Sequence, residues 1–73
     1  MALPLSVIDF ATVRENQSVG ESFADSVTLA RHAERLGYTR VWYAEHHNMP
    51  TIASSAPAVL IAHVAAHTER IRL

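Results

Sequence analysis

Two short apolar runs, LSVIDF at 5–10 and TRVWYA at 39–44, bracket one long amphipathic segment, and that alternation most limits what this chain can become. The first run follows Pro4 and reads as a buried strand with Asp9 at its C-terminal end. A polar stretch follows, and then SVGE at 18–21 shows the Ser-x-x-Glu spacing of a capping box. In that motif each side chain satisfies a backbone N–H that the helix start leaves unpaired. Advancing roughly 100° per residue gathers Phe23, Val27, Leu29, Ala30, Ala33 and Leu36 on one side of the helix. Asp25, Thr28, Arg31, His32 and Arg35 gather on the other. Glu34 falls inside the apolar arc, where a partner in the backbone or an Arg is expected. Gly37 supplies the left-handed residue that ends the helix.

Residues 39–44 form the second strand, and Glu45, His46 and His47 stand just beyond its C-terminal end. NMPTIASS makes the next loop. Ser54 or Ser55 before Pro57 predicts an N-cap followed by an early proline, with a helix from 56 to about 67 that is apolar nearly all round. RIRL at 70–73 looks like the opening of a third strand. Strand, helix, strand, helix, strand in this order builds a parallel α/β sheet through right-handed crossovers. The first loop carries no glycine-rich phosphate fingerprint, its only glycine being Gly20, so a dinucleotide-binding unit is disfavoured against a (β/α)8 TIM barrel. A whole barrel needs about 250 residues. Residues 1–73 are therefore expected to be a partial domain, the first two βα units plus the start of strand three.

Composition narrows the partners. A net charge of -1 with no Lys/Arg cluster offers no field for nucleic acid or an anionic membrane. The absence of cysteine removes disulfides and thiolate metal ligation and makes a cytoplasmic setting the expectation. MALPLSVIDF lacks the basic start and long apolar core of a signal peptide, and no run approaches the roughly 18 apolar residues of a membrane span. With 49% of residues hydrophobic and 18% charged, strands covered on both faces are expected.

In a parallel barrel the chemistry stands on loops after the strands. Asp9, Glu45, His46 and His47 all map there. Imidazoles titrate near neutral pH and a neighbouring carboxylate orients them, so the group outlines a proton-handling site. A His-His pair can equally cap backbone groups, and the simpler role for Asp9 is to accept backbone N–H bonds. Phe23 and Trp42 read as core. His63 and His67 have the i, i+4 spacing of a metal pair but lack the Glu of a zinc-protease helix, so a surface pair is expected. The rival chemistry is a metal-dependent TIM-barrel hydrolase with Asp9, His46 and His47 as ligands.

ARHAERLGYTRVWYAEHHNMPTIASSAPAVLIAHVAA, with LSVIDF upstream, closely resembles the bacterial luciferase-like flavin-dependent monooxygenases, nearest to the luciferase family oxidoreductases of group 1. The matching features include the Ala-Glu-x-x-Gly-aromatic helix end from Ala33 to Tyr38 and the Glu-His-His after strand two. The resemblance implies a barrel that binds reduced FMN, favoured here over a deazaflavin. It implies oxygenation of a small organic substrate by O2 through a flavin C4a-peroxide, with a flavin reductase supplying electrons and a homo-oligomeric assembly. On it, His46 becomes the catalytic base or hydrogen-bond partner beside the flavin, His47 orients substrate or flavin, Glu45 holds an imidazole, and Asp9 lines the same cofactor pocket near the flavin or substrate. The family's phosphate contacts come from later loops, so the chain is expected to be an N-terminal portion, beginning at Met1 and inactive alone. The other alternative is a flavin-binding module without turnover.

Overall fold

The computed structural model describes residues 3–73; Met1 and Ala2, with which the expected domain begins, lie outside the described residues. The order is β1 (Ser6–Asp9), α1 (Val19–Arg35), β2 (Arg40–Tyr43) and α2 (Pro57–Ala65). β1 and β2 pair in parallel, with Val7 opposite Val41, Ile8 opposite Trp42 and Asp9 opposite Tyr43. On the far side of β2 the expected third strand begins: Val41 N–H donates to Arg72 O at 2.9 Å and Arg72 N–H to Thr39 O at 3.2 Å. β2 is thus the middle strand, and the βαβαβ path is that of a parallel α/β unit.

α1 starts as its spacing predicts. Ser18 Oγ accepts the Glu21 N–H at 3.0 Å while Glu21 Oε1 accepts the Ser18 N–H at 2.8 Å. The Ser18 backbone and hydroxyl hold the Glu21 carboxyl below its ordinary range. Gly37, at φ 87, turns the chain out of the helix, a left-handed conformation that costs an L side chain.

The buried face of α1 keeps Phe23, Val27, Ala30 and Ala33 of the predicted arc but is rotated away from Leu29 and Leu36. Ser22, Ser26, Ala30 and Ala33 are buried, whereas Leu29 is 36% and Leu36 62% exposed. Small side chains one turn apart let the helix backbone approach the sheet, with the larger Phe23 and Val27 packed at the flank. Ala30, Ala33, Val41, Leu60 and Val64 form the core with Ala11.

The expectation of strands covered on both faces is not met among the described residues. Both helices lie on the Val7 and Val41 side, so Ile8 and Trp42, on the alternate face, remain 55% and 53% exposed. Arg40 crosses that face with its guanidinium 4.9 Å from the Trp42 ring centre.

α2 also departs from expectation. Its N-cap is Ala56, with no side-chain cap, and it ends at Ala65. Ser54 is buried and donates its hydroxyl to Phe10 O at 3.3 Å. Only the side of α2 that carries Leu60 and Val64 is covered, and Val59 is 71% exposed.

Two tertiary links set the ends of the strands. Glu34 Oε2 accepts N–H bonds from Glu69 at 3.0 Å, Arg70, and Ile71 at 2.9 Å, tying the end of α1 to the start of the third strand segment. These bonds, that of Arg70 first, hold the Glu34 carboxyl at about 2. At the opposite end of the sheet the two loops zip together. Val13 N–H donates to Thr51 O at 2.8 Å and Ala53 N–H to Ala11 O at 3.0 Å. Among the described residues no helix is long and apolar enough to cross a membrane.

Candidate functional site

The zipped loops wall an open cavity of about 640 Å³ beyond the C-terminal ends of β1 and β2. Val13, Phe23, Met49, Pro50 and Ile52 give it an apolar lining, and His46 is the one ionisable side chain on its wall among the described residues. The His46 backbone N–H donates to Ser54 O at 3.0 Å. Its imidazole meets the Phe10 ring edge-on, with centroids 5.6 Å apart and planes at 65°. Its Nδ1 is buried and has no hydrogen-bond partner among the described residues. A buried polar nitrogen without a partner costs free energy, and such positions mark places where a ligand or a further segment completes the bond.

Glu45 does hold an imidazole, but it is that of His47: Nε2 lies 2.8 Å from Oε2 in a pair whose side chains are 61% and 60% exposed. Successive residues past β2 point to opposite sides, so the pair stands at the solvent rim while His46 turns inward.

Asp9 does not share the His46 cavity. Strand alternation sends it to the helix-facing side with Val7, where it lines a separate space of about 200 Å³ with Thr12, Ser22 and Ser26. Asp9 Oδ1 accepts the Ala11 N–H at 2.8 Å, which supports Ala11 at φ 48, an uncommon conformation for a residue other than glycine. Its Oδ2 is buried without a partner among the described residues, as is the Tyr43 hydroxyl. Burial first, and then the charge of Asp9, push the Tyr43 phenol above its ordinary range.

The rival metal centre is not assembled. Asp9, His46 and His47 lie apart, and among the described residues no group of three or more His, Cys, Asp or Glu is placed to hold a metal ion. His63 and His67 form a local pair with ring centroids 5.0 Å apart. The 2.9 Å contact from His67 Nδ1 to His63 O requires the proton on that nitrogen, since a carbonyl only accepts.

Phe10, Met49, Ile52 and Ser54 are site residues that spacing did not reveal. The Ser-Ser-x-Pro pattern did single out Ser54, but for capping.

Known proteins share the sequence and fold of this chain. The family model described as luciferase-like monooxygenase matches residues 3–73. The chain is 51% identical over 69 residues to the uncharacterized protein YvbT of Bacillus subtilis (strain 168), covering 94% of this chain and 20% of that protein. Over 71 residues it is 48% identical to a luciferase-like monooxygenase of Escherichia coli (strain K12), covering 97% of this chain and 21% of the relative. Over 69 residues it is 45% identical to an N-acetyl-S-alkylcysteine monooxygenase of Bacillus subtilis (strain 168), covering 94% and 21%. The solved structure titled apo-MsnO8 superimposes with a TM-score of 0.90 at 46% identity, over 97% of this chain and 22% of that one. The chain thus spans about a fifth of the length of the curated relatives it matches. A match along residues 3–73, carried by the same strand-helix path and by relatives near half identity, means that the chain belongs to the luciferase-like monooxygenases, a family of oxidoreductases.

Proposed function

We propose that this chain is the N-terminal portion of a (β/α)8 flavin-dependent monooxygenase that uses reduced FMN and O2 to oxygenate a small organic substrate. The observation that carries the reading is His46, among the described residues the one ionisable group on the cavity wall at the C-terminal ends of parallel strands, with a buried Nδ1 that has no partner among those residues. These residues suit a flavin. Phe23, Met49 and Ile52 offer apolar surface to a flat ring system, and the Nδ1 without a partner among the described residues is ready for a polar group. When bound, FMN supplies the oxygen chemistry, which no protein side chain performs.

His46 takes up or returns a proton at its imidazole. Glu45 fixes the His47 ring at the rim, where it orients the substrate on entry. Asp9 serves the site from outside, by holding Ala11 and the loop that closes over the cavity. Electrons come from a separate flavin reductase in the cytoplasm, and the working protein is a homo-oligomer with no nucleic-acid or membrane partner. Phosphate contacts fall to later barrel loops, as in many barrels, so the chain alone is inactive.

The test is a chimera in which this chain replaces the matching segment of the N-acetyl-S-alkylcysteine monooxygenase. FMN binding is followed by fluorescence and oxygenation of an N-acetyl-S-alkylcysteine with a reductase present. The expected result is turnover that falls by about 10² to 10⁴ in His46→Ala with FMN still bound. Undiminished turnover in His46→Ala would remove its proposed role, and FMN binding without turnover in the parent chimera would favour a binding module.

A further inference from the structure

We infer that Ser54 is the positioning residue for His46, a role that rests on the proton-handling assignment of His46. Ser54 is 1% exposed and ties the two strand ends together through opposite polarities. Its carbonyl accepts the His46 N–H at 3.0 Å, and its hydroxyl donates to Phe10 O at 3.3 Å, across 44 positions of sequence. Phe10 is the residue whose ring packs edge-on against the His46 imidazole. One buried residue therefore makes both ties: its backbone carbonyl holds the backbone that carries the imidazole, and its hydroxyl holds the backbone of Phe10, whose ring limits the rotation of that imidazole.

The need for such a residue follows from what His46 lacks. A functional histidine is commonly oriented by a hydrogen bond from the protein to one of its ring nitrogens. His46 Nδ1 has no such partner among the described residues. Its ring direction then depends on backbone pinning and on contact with Phe10, and both lead to Ser54. The adjoining bond from Ala53 N–H to Ala11 O, at 3.0 Å, continues the tie into the loop after β1 and keeps Ser54 from drifting with its own loop.

The test uses the intact chimeric enzyme, with Ser54→Ala and Ser54→Cys; the second keeps the side-chain volume and weakens the donor, so it guards against a folding failure. Misplacement of a reacting group by small distances lowers rate more than binding, and the expected loss in either variant is about tenfold in kcat with KM changed by less than about twofold. The ring resonances of His46 in NMR should move, while those of His32, on the exposed side of α1 beside Arg35, stay in place. In a His46→Ala background Ser54→Ala should cause no further loss of kcat. An equal loss in both backgrounds, or an unmoved His46 ring signal, would overturn the inference. If His46→Ala itself leaves kcat unchanged, the catalytic reading of His46 fails separately, and the resonance shift still decides whether Ser54 orients the ring.

Discussion

Replacing Glu34 with Gln should loosen the start of the third strand and flatten the acid limb of stability. The Glu34 carboxylate, held at about 2 against an ordinary 4.5, accepts backbone N–H groups of Glu69, Arg70 and Ile71. A carboxyl whose folded value is depressed stabilises the fold fully above its unfolded value. That contribution is present above 4.5 and disappears as pH falls through about 2. The carboxylate sits in the last turn of α1, where its charge opposes the helix dipole, so the depression comes first from the backbone donors, with a smaller contribution from the Arg70 charge. Gln presents a neutral carbonyl that cannot serve this cluster with charge-assisted bonds. The assay has two arms. Urea midpoints followed by circular dichroism, taken between neutral pH and pH 2, should fall more steeply below pH 4.5 in the parent than in Glu34→Gln. Amide hydrogen exchange should accelerate in the variant at Glu69, Arg70 and Ile71 while Ser22 and Ser26 amides in α1 keep their rates. An acid limb of equal depth in both proteins, with exchange unchanged at the three amides, would refute the argument.

Three further outcomes are expected from urea titrations. Val41→Ala removes two methyl groups from a fully buried site at the centre of the core, worth about 1.6 kcal/mol in transfer and, with the cavity left behind, about 2–3 kcal/mol in all. Ser18→Ala deletes the cap hydroxyl that accepts the Glu21 N–H and should cost about 1 kcal/mol. Glu45→Gln, in a pair whose side chains are about 60% exposed, should change stability by less than about 0.5 kcal/mol. A loss of chimera activity in Glu45→Gln without a change in urea midpoint would then report on the His47 ring and not on folding.

What residue spacing determined was local. The capping box at Ser18 and Glu21 and the left-handed Gly37 involve groups within one helical turn, so their partners can be read along the chain. The strand-helix alternation likewise follows from short-range pattern, and the placement of Glu45, His46 and His47 at a strand end follows from it. Periodicity also led to error: it weighted Leu29 and Leu36 by hydropathy, whereas the helix buries Ser22 and Ser26 because small side chains allow close approach. Only the tertiary structure decided that Asp9 leaves the His46 cavity, that Glu34 receives amides 35 to 37 positions away, and that Ser54 bonds Phe10 rather than capping α2. The Ser54 partner is set by how the loops after the two strands meet in space and those of Glu34 by how the end of α1 meets the third strand segment, and a hydrogen bond between residues so distant in sequence leaves no mark in the spacing of either.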